Sequence, residues 1–189
     1  MKHRSSQSLI EVIVAIGILS SAIISIISMA YYTLQLSGQG MDTVISNALA
    51  REGIEVVYAI YGGNLLNSDK VWPYGLDTNG NYVVQYDTTA LSTAADNSTL
   101  SACANCQLCV SQTTGIYVNY SSGCPGGYVL TPLRRMITIA DGDSESICVG
   151  TYCTGGAQVE KKITSRVYWQ QRGRPYTARV EARFTNWHR

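Results

Sequence analysis

The chain has 189 residues, room for one domain and an appendage. Only 14% of them are charged, well below the roughly 25% of an ordinary soluble domain, while 46% are apolar, which excludes an intrinsically disordered chain and implies a segment that avoids water. A net charge of +1, from 14 Lys+Arg and 13 Asp+Glu, excludes a general nucleic-acid binder on bulk charge.

Lys2 and Arg4 precede a run from Val12 to Leu34 that carries no charge, and the next charged side chain is Asp42. About 20 apolar residues span the roughly 30 Å hydrocarbon core of a bilayer. The leading cations place the N-terminus in the cytoplasm and everything after about Tyr32 outside. Three readings of this segment compete. A secretory signal peptide fits the small-x-small sequence Ser28-Met29-Ala30, which would make Tyr31 the mature N-terminus. Against it, the run exceeds the usual 7 to 15 residues, and Glu11 adjoins its start, where a carboxylate costs about 3 kcal/mol. An uncut anchor leaves Glu11 without a purpose. An ionisable group at a membrane span marks a function by default.

The third reading rests on Ser6-Gln7-Ser8-Leu9-Ile10-Glu11-Val12-Ile13-Val14-Ala15-Ile16-Gly17-Ile18-Leu19. This stretch resembles the processing and assembly segment of type IV pilins and pseudopilins. The resemblance implies that a prepilin peptidase removes a basic leader, residues 1–6, after Ser6. The new N-terminal amine on Gln7 is then methylated, and Glu11 stands at the fifth mature position. It also implies that Glu11 meets the Gln7 amine of a neighbouring subunit or of its own chain, setting register in a filament. Here Ser6 stands where the family usually has Gly and Gln7 where it has Phe. Ser28 replaces a helix-kinking Pro found in many members, which implies a straighter membrane helix.

Residues 7–36 are therefore expected to form a transmembrane and assembly helix. Gly17, Ser21, Ser25 and Ser28 share one face of it, where small residues and hydroxyls favour helix association in lipid, or are simply tolerated. Ser37-Gly38-Gln39-Gly40 predicts a bend or short break, since each glycine costs about 1 kcal/mol in a helix interior. An amphipathic continuation over 37–61 follows, with Met41, Val44, Ile45, Ala48 and Leu49 at helical spacing, ending at Tyr61-Gly62-Gly63-Asn64.

Residues 62–189 read as an exported β-rich head. Asn79-Gly80 predicts a tight turn before a strand at Tyr82–Tyr86. Asp77-Thr78-Asn79-Gly80-Asn81 is a poor match to a calcium loop, its glycine at the fourth position rather than the sixth. Leu133–Ile139 is a further strand. Val159, Lys161, Ile163, Ser165, Val167 and Trp169 alternate against a polar row, as do Tyr176, Ala178, Val180, Ala182 and Phe184, predicting an antiparallel hairpin joined by Gln171–Pro175. The expected fold class is α+β, a long N-terminal helix packed on a C-terminal antiparallel sheet. That is the pilin-like architecture the resemblance implies.

The six cysteines are Cys103, Cys106, Cys109, Cys124, Cys148 and Cys153, all in the exported part. Fourteen residues separate Cys109 from Cys124, where a ferredoxin run needs three. An even count in an oxidising compartment points instead to disulfides, with fifteen connectivities open. They would constrain an insertion over about 88–127, whose Ser, Thr, Asn, Gly and Ala bury little apolar area. No metal site or cofactor is expected.

Asp141, Asp143 and Glu145 read as a solvated acidic turn with calcium as the sharper alternative, and Asn97-Ser98-Thr99 and Asn119-Tyr120-Ser121 match the glycosylation sequon. From Val159 to Arg189, eight Lys+Arg face two Glu, a local +6. Arg166, Arg172, Arg174, Arg179 and Arg183 on these strands are candidate phosphate contacts. The alternative is the solvated outer face of an amphipathic sheet, or a contact with an acidic neighbour. His3 and His188 are the only histidines, and no catalytic motif appears, so the chain is not expected to be an enzyme. The resulting expectation is a minor pilin or pseudopilin. Its partners are other pilin subunits, prepilin peptidase and an assembly platform, and it is held in the cytoplasmic membrane before entering a surface filament. Alternatives are a pseudopilin of a secretion or DNA-uptake machine with a DNA-binding head, and a signal-peptide-exported, disulfide-rich binding protein.

Overall fold

Among the described residues one α-helix, α1 (Arg4–Leu65), precedes six strands: β1 (Gly80–Tyr82), β2 (Gln107–Ser111), β3 (Tyr117–Asn119), β4 (Tyr128–Asp141), β5 (Glu160–Gln171) and β6 (Arg174–Thr185). The computed structural model describes residues 4–66, 74–120, 123–142 and 160–185, with backbone alone for 4–8 and 65. The protein is α+β, as its pattern predicts. It divides into two compact units, Met1–Asp42 and Thr43–Arg189.

In the first unit the described residues are helical throughout. Ser37-Gly38-Gln39-Gly40 does not break the helix. Propagating a formed helix adds one hydrogen bond per residue, which carries it across two glycines. Large apolar residues from Leu9 to Leu36 are 48 to 73% exposed on every side of the helix. It is long and apolar enough to cross a membrane.

In the second unit, helix residues 43–65 pack on one face of the sheet. The helix runs through Gly62 and Gly63 rather than ending there, and Leu66 N donates to Gly62 O at 3.2 Å. Gly53 lets helix and sheet approach. A Cβ there would lie 2.7 Å from Ser165 Oγ and 2.8 Å from Ile137 Cδ1.

The sheet is antiparallel in every pairing, ordered β3-β2-β4-β5-β6, with β1 beside β4. Strand β4 is long enough to take two partners along one side, β2 against its first part and β1 against Ile137–Ile139. The β5–β6 hairpin closes more tightly than its sequence predicts. The ladder reaches Gln171↔Arg174, leaving a two-residue turn with Arg172 at φ 53° and Gly173 at φ 75°. Positive φ at both positions matches the twist of the strands.

Odd-numbered residues of β4 and β5 face the helix. Ile54, Val57 and Ile60 meet Ile137, Ile139, Ile163 and Phe184 towards the C-terminal end of the helix. Leu49 and Ala50 meet Leu108, Leu133, Val167 and Trp169 towards Thr43, with Ile45, Tyr117 and Tyr176 alongside. Each fully buried aliphatic side chain contributes about 1.5 to 3 kcal/mol.

The opposite face is covered too, which the composition of the 88–127 insertion did not predict. Leu100, Cys103 and Cys106 of the insertion pack with Val83 on Met136, and Tyr168 lies alongside. The insertion also supplies β2 and β3. Others of its apolar side chains, Leu108 and Tyr117, belong to the helix-facing core.

Candidate functional site

The N-terminal segment keeps its expected helical register. The Ser6–Gln7 peptide bond lies in the first turn of α1, and Gln7 and Glu11, four residues apart, fall on one side of it. The Glu11 side chain is exposed in the single chain, among apolar residues that are exposed as well.

Gly17, Ser21, Ser25 and Ser28 form the expected stripe, but the hydroxyls point back into their own helix. Ser21 donates to Ile18 O at 2.8 Å, Ser25 to Ser21 O at 2.9 Å and Ser28 to Ile24 O at 2.9 Å. The i−3 and i−4 carbonyls are the nearest acceptors in an apolar medium. What the stripe offers a neighbour is low volume, and a methyl added at Gly17 would meet nothing within 4 Å.

Four cysteines pair as two disulfides, Cys103–Cys106 and Cys109–Cys124. Cys148 and Cys153 lie outside the described residues, as do Asp143, Glu145, Trp187 and Arg189. The Asp96 carboxylate accepts from Ala104 N and Asn105 N, and Asn105 accepts from Asp96 N, clamping the first disulfide loop. Arg134 ties the same loop to the sheet, donating to Cys103 O at 3.1 Å and Gln107 Oε1 at 3.1 Å. No group of three or more metal-ligating side chains occurs among the described residues.

The basic strands are largely matched by acids. Lys161, counted as surface charge in the local +6, is buried. Its ammonium donates to Asp141 Oδ1 at 2.8 Å, Asn79 Oδ1 at 3.1 Å and Asp77 O at 3.3 Å. Asn79 Nδ2 also donates to Asp141 Oδ2 at 2.7 Å. Asn79-Gly80 is therefore not a hairpin turn, since Gly80 already pairs with Ile139. Lys162 and Arg179 both pair with Glu181, and Arg183 pairs with Glu160 at 3.1 Å. Arg166 is half-buried and donates to Thr138 Oγ1. Arg172 and Arg174 are exposed at the hairpin turn, at a distance along the strands from these pairs. The five arginines thus do not form one continuous cationic track.

Sequence reasoning missed Arg135, whose buried guanidinium donates to Glu52, Leu49 O and Val84 O. Its odd parity in Leu133–Ile139 is the signal that places it inward. Asn119 is buried, which removes one sequon from the accessible surface of the folded head, while Asn97 is exposed. Burial raises the Tyr61 phenol above its usual pKa.

No family model, curated protein or solved structure matches this chain.

Proposed function

We propose that this protein is a minor subunit of a type IV pilus-like filament, trimmed after Ser6 by a prepilin peptidase and assembled through its N-terminal helix. The observation that carries this reading is the helix segment 9–36, apolar on every side and bearing one carboxylate, Glu11, two turns from the helix start. Such a helix needs lipid or other apolar helices around it. A buried carboxylate needs a cation, and the trimmed amine of Gln7 supplies one. The α+β head, with its own core and disulfides, agrees with the architecture that the resemblance implies.

In the membrane the helix holds the head outside. On assembly the same apolar surface passes from lipid to neighbouring subunits, and the stripe from Gly17 to Ser28 lets backbones approach. The Glu11 carboxylate then fixes axial register against an amine. Replacing Glu11 with Ala tests this directly. The variant is expected to be trimmed at the normal site yet to stay in the membrane fraction, absent from filaments sheared off the cell surface. Wild-type incorporation into filaments would refute the role of Glu11.

A further inference from the structure

We propose that Lys161 and Asn79 join in the folded head through an amide bond between Lys161 Nζ and the side-chain carbonyl carbon of Asn79, with Asp141 carrying the proton and ammonia leaving. The inference concerns the head alone and stands apart from the filament reading.

Three separate segments supply the three side chains. Lys161 is the second residue of β5, on the odd-numbered row that faces the helix. Asp141 ends β4 and stands directly opposite it. Asn79 immediately precedes β1, which pairs with the same end of β4 through Gly80↔Ile139. The Lys161 side chain is only 2% exposed. Its register partner on β6 is Phe184, which is buried with Leu76, Ile139 and Ile163.

An ordinary buried ion pair needs a cation and an acid. Here a carboxamide completes a ring with them. Asp141 Oδ1 accepts from Lys161 Nζ at 2.8 Å, Asp141 Oδ2 accepts from Asn79 Nδ2 at 2.7 Å, and Asn79 Oδ1 accepts from Nζ at 3.1 Å. A nucleophile, an electrophilic carbonyl and a proton carrier therefore each touch the other two. The Asn79 carbonyl carbon is one C=O bond, about 1.23 Å, from Oδ1, so it lies at most about 4.3 Å from Nζ. Asp77 O accepts from the same ammonium at 3.3 Å and steadies it. Reactants held in this way reach effective molarities of roughly 10⁵ to 10⁸ M when aligned.

The chemistry balances without any further reagent. Asp141 Oδ1 takes a proton from Nζ, and the freed lone pair attacks the Asn79 carbonyl carbon to form the new C–N bond. The carboxyl group then returns its proton to Nδ2 as the bond from that carbon to Nδ2 breaks. The second proton shed by Nζ leaves with the ammonia as ammonium. One lysine ammonium and one carboxamide become one secondary amide and one ammonium ion, and Asp141 ends as it began. Asn79 is exposed and the Asp141 side chain is 45% exposed, which gives the ammonium a way out to water. The product ties the three-residue strand β1 to β5 across the end of β4 by a bond that reduction cannot open.

The test is peptide mapping by mass spectrometry of the full detergent-extracted chain after reduction and alkylation. A branched peptide carrying both Asn79 and Lys161 is expected, lighter than its two parts together by about 17 Da, the mass of ammonia. Lys161→Arg, whose guanidinium stays protonated, and Asp141→Asn should each abolish the branch and return both peptides at full mass. Unbranched peptides from the wild-type chain overturn the inference, whatever the variants show. The backbone nitrogen of Gly80 is a competing nucleophile for the same carbon, so a loss of ammonia at Asn79 that persists in Lys161→Arg also overturns it. A branch that survives in Asp141→Asn overturns the role given to Asp141.

Discussion

Arg135 Nη1 lies 3.0 Å from Glu52 Oε1, so a guanidinium with no exposed surface joins the centre of β4 to the helix. The two partners are unequally placed, because the Glu52 side chain is 36% exposed. Removing Arg135 lets Glu52 rehydrate, whereas removing Glu52 leaves a buried cation with only carbonyl oxygens. Glu52→Ala should therefore cost about 4 kcal/mol and Arg135→Met about 2 kcal/mol. Thermal unfolding of the detergent-solubilised chain measures both, and the reverse order would contradict this view of the pair.

The close approach at Gly53 leads to a coupled prediction. Gly53→Ala gains about 1 kcal/mol of helix propensity but forces a methyl onto Ser165 Oγ and Ile137, at a cost of about 1 to 3 kcal/mol. Ser165 Oγ is buried with no hydrogen-bond partner, so Ser165→Ala should stabilise by about 1 kcal/mol. The double variant should be more stable than the sum of the singles predicts, by at least about 0.5 kcal/mol. Strict additivity in a double-mutant cycle would show that the two positions do not press on one another.

The disulfides differ in the loop they close. Cys109–Cys124 spans a sequence separation of 15 and Cys103–Cys106 one of 3. On loop-closure entropy alone the first is worth about 3 kcal/mol and the second about 2 kcal/mol. Paired replacement by alanine, read by denaturant midpoint, should destabilise the head more at 109 and 124. Equal or opposite effects would mean that packing of Cys103 and Cys106 on Met136 outweighs chain entropy.

Much of this fold was legible before the structure because its signals are periodic. The uncharged run to Leu34, the helical spacing after Met41 and the alternation from Lys161 to Phe184 each bury one kind of residue at a fixed interval. What escaped has no period. Leu100, Cys103 and Cys106 cover the outer face of the sheet from an irregular segment, and β2 and β3 are too short to show alternation. Asn79-Gly80 has the composition of a turn, yet Asn79 serves Lys161 and Asp141. Lys161 was counted with the surface cations because of its charge and Arg135 was passed over, although their parity with Ile163 and Ile137 pointed inward. At the candidate site, the position of Glu11 in the helix was legible. The return of the serine hydroxyls to their own carbonyls was not, since spacing alone does not reveal which acceptor a hydroxyl chooses.

N-terminal sequencing of the mature protein extracted from membranes tests the assembly proposal most directly. Cleavage after Ser6 predicts a methylated Gln7 as the first residue. A chain beginning at Tyr31 would make the apolar helix a discarded export signal, and one beginning at Met1 would make it an uncut anchor; either result contradicts the proposal.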